Sequence, residues 1–353
     1  MIKVKIHNPT KGRNEPTFRP FLFIKDLLKN YHIEITNSDD FDFLFIGMAD
    51  YYDMSLTLKD SADWGLNNIE NISKGGDYFL FDGFDSSSLT GSYEVFKNSK
   101  AKLLLKNQLL KNRKDYNNTY AYGKWWFGTG SGLDVSYDIS EKEWSKIKLS
   151  GFNLGCQLPS YHNHYQISTN KKFDVCAIYQ AFHEPAPFNR VVAPGIQYTQ
   201  HRSSAWEVLE GIKNKYSIFT AKLPQQEYFE KLYNSKICLS PFGQGEICYR
   251  DFEAMQFGTL LLKPDQSKIT TFPNPYIENE TYIPVLPDWS NLNEVIENIL
   301  CNYNSFSYIP ENFRQVFKKE YNLNNLCLYW YELISNLDVI KKDYENSGIM
   351  EQS

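Results

Sequence analysis

Residues 236–265, KICLSPFGQGEICYRDFEAMQFGTLLLKPD, decide the fold. An apolar run, Ile237-Cys238-Leu239-Ser240, meets a glycine-rich turn, Pro241-Phe242-Gly243-Gln244-Gly245. A helical pattern follows from Glu246 to Phe257 and stops at Gly258. A second apolar run, Leu260-Leu261-Leu262, ends at Lys263-Pro264-Asp265. Strand, glycine turn, helix, glycine stop and strand make a βαβ unit.

That unit has a chemistry of its own. Gly243 and Gly245 are expected to let a ligand come close to the backbone. A helix starting beyond them turns unbonded N–H groups and a partial positive charge toward the turn, where phosphate binds readily. Arg250 and Glu253 are three residues apart and share a helix face. A guanidinium can grip a diphosphate with two parallel hydrogen bonds, and a carboxylate one turn on can accept from both hydroxyls of a ribose. The set suits a nucleoside diphosphate lying across a helix N-terminus. Spacing alone leaves a second possibility open, since Arg-x-x-Glu on an α/β helix is commonly a plain surface ion pair.

The segment SPFGQGEICYRDFEAMQFGTLLLKPD, residues 240–265, resembles the donor-site segment of GT-B glycosyltransferases. It is similar to the group-1 pattern, in which a glycine turn leads into a helix carrying Leu-Glu-Ala-Met and then Gly. It also resembles the exostosin-like pattern, in which Arg stands three residues before Glu-Ala. Arg250, Glu253, Ala254 and Gly258 occupy those positions. The group-1 pattern has a second Glu eight residues before the helix Glu; Gly245 stands there, and Glu246 is one residue off. The retaining mechanism tied to the paired glutamates is therefore in doubt, and the exostosin-like arrangement implies inversion.

The resemblance implies two Rossmann-like domains facing an interdomain cleft, with the donor on the second domain and the acceptor on the first. It implies a nucleoside diphosphate sugar as co-substrate, no cofactor and no metal. Gly243, Gln244, Gly245, Glu246, Arg250 and Glu253 would then bind the donor.

The rest of the chain fits that frame. Strands are expected at 2–6, 33–35, 42–47, 77–81 and 101–105, alternating with helical stretches, as in a parallel sheet covered on both faces. The alternation breaks between Asn118 and Ser168, which contains Trp125-Trp126 and His162-x-His164, and resumes at Phe173. The expected division is an acceptor-binding domain with its linker over 1–168, a nucleotide-sugar domain over 169–340 and a frayed tail over 341–353. In such sheets ligands bind outside the carboxyl ends of the strands. Two facing domains would place both sets of strand ends around one cleft.

Asp82 and Asp85 follow the strand at 77–81, and either could be the base that takes a proton from an acceptor hydroxyl. Asp85 is the stronger candidate. The alternative is that one of them caps the helix after Ser86-Ser87-Ser88. Clustered Asp after an apolar strand is also how a metal-dependent GT-A enzyme presents its ligands, although the spacing here is Asp-x-x-Asp. Arg190, Arg202 and Lys222 lie near strand ends or helix starts of the second domain and could reach the diphosphate, Lys222 first among them. Lys263 and Tyr282 could line the nucleotide pocket. The histidines of the polar loops, His162, His164 and His183, offer no third metal ligand.

Composition narrows the partners. With 353 residues the chain has room for two domains. A formal charge of −5 with dispersed basic residues argues against nucleic acid. The six cysteines show no metal or disulfide spacing, which fits a reducing cytoplasm. No secretory leader and no run of about twenty apolar residues is visible. The expected place is the cytoplasm, with peripheral attachment to the inner face of a membrane left open. A nonenzymatic nucleotide- or glycan-binding protein is the contrasting reading.

Overall fold

The computed structural model describes residues 1–7, 15–53, 56–117, 136–151, 167–168, 170–179, 195–243 and 245–346. Trp125, Trp126, His162, His164, His183, Arg190 and Gln244 lie outside them.

The first domain is one parallel sheet. Its strands are β1 (Ile2–His7), β2 (Ile33–Thr36), β3 (Phe43–Gly47), β4 (Tyr78–Asp82), β5 (Leu103–Lys106) and, beyond the short β6 (Gln108–Leu110), β7 (Ile147–Leu149). The order is β2-β1-β3-β4-β5-β7. Helices α1 (Glu15–Asn30), α2 (Leu58–Ser73), α3 (Ser92–Asn98) and α4 (Glu141–Trp144) belong to the same half. β3 and β4, FLFIG and YFLFD, are buried at every position, as strands of a parallel sheet covered on both faces must be.

The second domain repeats the plan. β8 (Phe173–Cys176), α5 (Gly195–Ile212), β9 (Ile218–Phe219), α6 (Gln225–Tyr233), β10 (Ser235–Leu239), α7 (Tyr249–Gln256), β11 (Leu260–Pro264), β12 (Ile269–Thr271) and β13 (Ile283–Val285) follow in turn. β8 to β11 and β13 form a parallel sheet in the order β13-β11-β10-β8-β9. The helices α8 (Leu292–Cys301), α9 (Tyr303–Phe306), α10 (Ile309–Glu320) and α11 (Leu323–Asn346) close the chain.

Two features tie the halves together. β12 pairs antiparallel with β6, Thr271 opposite Gln108 and Ile269 opposite Leu110, so a ribbon made from both halves straps them. α11 packs on the first sheet instead of the second. Its Trp330 lies 4.5 Å from the Phe21 ring and 5.7 and 5.8 Å from Phe45 and Phe81, ring centre to ring centre. Burying an aromatic of this size is worth roughly 1.5–3 kcal/mol. The aromatic face of β3 and β4 is what draws the helix back.

α11 runs to Asn346, and its residues Leu326, Cys327, Trp330 and Ile334 share the apolar cluster of the first sheet. Among the described residues no helix is long and apolar enough to cross a membrane.

Candidate active site

In each sheet the chain reverses direction of travel beside one strand, and ligands favour the crevice there. In the second sheet that place lies between β8 and β10, since β9 continues on one side of β8 and β10 on the other. Ile178 follows β8, and Phe242 and Gly243 follow β10. A cleft of about 560 Å³ opens here, lined from the second domain by Ile178, Arg202, Tyr228, Gly243, Gly245, Ile247, Cys248, Tyr249, Arg250 and Glu253. Thr17, Gly83 and Asp85 line it from the first. The volume is that of an ordinary small-molecule site.

Two guanidiniums flank the glycine turn. Arg202 of α5 donates from Nε to the Phe242 carbonyl at 2.8 Å. Arg250 of α7 donates from Nε to the Ile178 carbonyl at 3.5 Å and lies over the Tyr179 ring, 5.6 Å from its centre. Each arginine is thus tethered through Nε to the carboxyl end of one of the two switch-point strands. Both arginines line the cleft, where a guanidinium could grip a diphosphate bidentately.

The helix behind Arg250 is shorter than the pattern suggested. α7 starts at Tyr249 because Asp251, its third residue, folds back to accept the Cys248 N–H at 3.0 Å. The Asp251 carboxylate also accepts from Ser240 Oγ, from Tyr276 Oη at 2.7 Å and from the Lys263 ammonium at 3.0 Å. Asp251 and Lys263 are fully buried. Their pairing satisfies two charges that would be costly alone, and it fixes α7 to the strand on each side. Lys263 is therefore part of the scaffold, not of the pocket wall. Tyr282 is likewise buried, its hydroxyl accepting from the Gln266 N–H at 3.0 Å, away from the cleft.

Glu253 keeps its place. It is half-buried on the cleft wall and accepts a hydrogen bond from Tyr228 Oη at 2.7 Å. Burial pushes its carboxyl pKa up, with Tyr228 and Arg250 working against that.

Glu246 and Gly245 do something the sequence did not suggest. Glu246 is fully buried and accepts from the Ser87 N–H at 3.0 Å, from Ser87 Oγ at 2.8 Å and from Gln108 Nε2 at 3.1 Å. It clasps the first domain and does not line the cleft. Gly245 has no positive φ; it is glycine because a Cβ there would lie 1.6 Å from the Asp85 carbonyl oxygen. The close approach is made by the partner domain's backbone. Gly245→Ala should therefore force the domains apart, at about the 1–3 kcal/mol cost of overpacking. A urea midpoint equal to that of the wild type would show that the two backbones do not meet.

The acidic pair separates cleanly. Asp82 is fully buried in an ion pair with Lys106 at 2.9 Å; it also accepts from Ser92 Oγ and from the Phe84 N–H at 3.0 Å. It locks the ends of β4 and β5 to the start of α3 and has no opening to the cleft. Asp85 is open to the cleft, opposite the arginines. Partial desolvation by the cleft walls pushes its carboxyl pKa up, with Lys106 working against that. The helix cap expected of one of these aspartates is not made by Asp85, because α3 is capped at Gly91.

So the structure brings Asp85, Gly243, Gly245, Arg250 and Glu253 to one cleft. It does not bring Asp82, Glu246, Lys222, Lys263 or Tyr282 there. Lys222 is exposed beyond β9, an edge strand one position removed from the switch point; Arg202, from the helix that leads into β9, reaches the turn instead. Tyr228 and Thr17 carry no sequence signal and reach the cleft only through packing. Among the described residues no group of three or more His, Cys, Asp or Glu is placed to hold a metal ion.

No protein-family model and no curated protein matches the sequence. Solved structures do match the fold. One is Anabaena HepE in complex with UDP-glucose: TM-score 0.50, 10% identity, over 95% of this chain and 100% of that one. The same protein in complex with UDP matches at TM-score 0.51, again at 10% identity over 95% and 100%. Sucrose-phosphate synthase from Thermosynechococcus elongatus matches at TM-score 0.51 and 11% identity, over 96% and 100%. The fold is therefore GT-B: two Rossmann-like domains around a cleft. The GT-A alternative, with Asp82 and Asp85 as metal ligands, is set aside by this fold and by the burial of Asp82 against Lys106.

Proposed function

We propose that this chain uses its GT-B cleft to transfer a sugar from a nucleoside diphosphate sugar to a hydroxyl of a glycan, a surface polysaccharide or a lipid-linked oligosaccharide. The observation that carries this reading is the pair of tethered guanidiniums, Arg202 and Arg250, flanking Gly243 at the switch point of the second sheet. Donor complexes of fold neighbours, HepE with UDP and with UDP-glucose, support a nucleotide-sugar donor.

In this reading the diphosphate lies across the N-terminus of α7, held by Arg202 and Arg250, and Glu253 accepts from the ribose hydroxyls. Asp85 faces the sugar from the first domain. It takes the proton of the acceptor hydroxyl as that oxygen bonds to the anomeric carbon. The bond from that carbon to the phosphate oxygen breaks, and the diphosphate departs with the electron pair. A single displacement of this kind inverts the anomeric centre. The Gly245 position supports inversion, because its backbone packs on Asp85 where the paired-glutamate pattern has a carboxylate. The negative charge of the departing diphosphate is met by the two arginines and the helix N-terminus, so no metal is required.

The deciding experiment is release of nucleoside diphosphate from a panel of UDP-, GDP- and TDP-sugars, with and without EDTA. Turnover that survives EDTA is expected. Turnover lost to EDTA and restored by Mn²⁺ would overturn metal independence. Tight donor binding with no turnover would make the chain a binding protein.

A further inference from the structure

Glu246 and Gln108 form a bridge between the domains that the transfer step itself does not use. Glu246 is a buried carboxylate held by neutral donors: the Ser87 N–H and hydroxyl and the Gln108 amide. It belongs to the turn that carries Gly243 and leads into α7. Ser87 and Gln108 belong to the first domain, and the Tyr116 hydroxyl donates to the Ser87 carbonyl at 2.9 Å. Gln108 itself sits in β6, opposite Thr271 of β12, in the ribbon that straps the domains.

The Gln108 amide makes two donations. One goes to Glu246 at 3.1 Å, the other to the backbone carbonyl of Asp85. That same carbonyl rests on Gly245. The backbone of Asp85 is therefore met by two groups: Gly245, which belongs to the donor turn, and Gln108, which the donor turn holds through Glu246. A buried network of this kind is rigid when all its members are satisfied.

We propose that Gln108 is a positioning residue: held by Glu246, it fixes the Asp85 backbone, so that the acceptor-side carboxylate is aligned from the donor domain. The proposal rests on the reading of Asp85 as the base. The amide is suited to the task because one NH₂ group can serve both acceptors at once.

Complementary substitutions separate positioning from mere clasping. Glu246→Gln sets an amide against the Gln108 amide, and Gln108→Glu sets two carboxyl groups face to face. Each should lower the melting temperature. The double variant, Glu246→Gln with Gln108→Glu, restores a donor and an acceptor across the interface but has no N–H at position 108 for the Asp85 carbonyl. It should melt above either single variant. Its release of nucleoside diphosphate from the sugar nucleotide that the wild type turns over, with water in place of the acceptor, should remain about 10–100-fold slow, the scale of a small misplacement of a reacting group. Calorimetric affinity for that nucleotide should stay within about twofold.

A double variant restored in both stability and rate would make the bridge a clasp only and overturn the positioning role. A double variant that melts no higher than the single variants would overturn the contact between Glu246 and Gln108 as the source of the coupling. Affinity lost in step with rate would assign the effect to the donor site and overturn the proposal. A wild type that turns over no sugar nucleotide would defeat the transferase reading itself, and the positioning role would fall with it.

Discussion

Asp85→Asn is expected to lower turnover by about 10²–10⁴-fold, the usual loss on removing a general base, while leaving donor affinity unchanged. The asparagine keeps the shape of the side chain but cannot take up the acceptor proton. Its partners on the donor side, Arg250 and Glu253, stand on the opposite wall of the cleft.

The pH dependence follows from the partial desolvation of Asp85 at the cleft wall. Desolvation raises the Asp85 pKa above the ordinary carboxylate value of 3.8, so the acid limb of kcat/KM should lie above that value and vanish in the variant. The effect on folding has the opposite sense. A carboxyl with a raised folded pKa favours the folded state fully below its unfolded pKa and loses that contribution as pH rises through the folded value. At neutral pH the charged Asp85 is thus an unfavourable tenant, and Asp85→Asn should melt no earlier than the wild type. An asparagine variant that transfers at the wild-type rate would remove Asp85 from the mechanism, whatever its melting temperature.

Arg250→Ala is expected to lower turnover by about 10²–10³-fold, as when one preorganised donor to a developing anion is removed. Donor affinity should fall much less, because the contact strengthens as the diphosphate departs. Arg250→Lys should not rescue it. A lysine lacks the Nε that reaches the Ile178 carbonyl and the planar fork for two phosphate oxygens.

Glu253→Ala supplies the contrast: loss of its acceptor should weaken donor binding by about 1–3 kcal/mol, with turnover at saturation nearly retained. Steady-state kinetics with calorimetry on both variants would check this. Equal losses of affinity would mean that Arg250 serves ground-state binding alone.

How legible each residue was depended on how local its causes are. The unit β10–α7–β11 could be read from the chain because apolar runs, a glycine turn and Gly258, which adopts a positive φ, act over a few residues. The same locality puts Arg250 and Glu253 on one face of one helix, and the resemblance of that segment to GT-B donor sites agrees with the fold. α7 starts three residues beyond its helical pattern, since the sequence shows an aspartate at position 251 but not that it turns back onto Cys248. Asp82 and Asp85 read alike in sequence. They parted company only when Lys106, on the neighbouring strand, took Asp82 into a dry ion pair.

What the sequence determined by itself was therefore the alternation that makes two parallel α/β halves, and the donor helix with its Arg and Glu. These rest on periodicity and short-range backbone chemistry. Only the tertiary structure decided the rest. It sent α11 back to the aromatic face of the first sheet, made Arg202 and not Lys222 the second cation at the turn, and spent Lys263 on Asp251. It also turned Glu246 from an expected ligand contact into a contact between domains, and set Gly245 of the cleft lining against the Asp85 backbone. Each of these depends on groups more than ten residues apart meeting in space, and burial then fixes which charges must be paired and which can face the cleft.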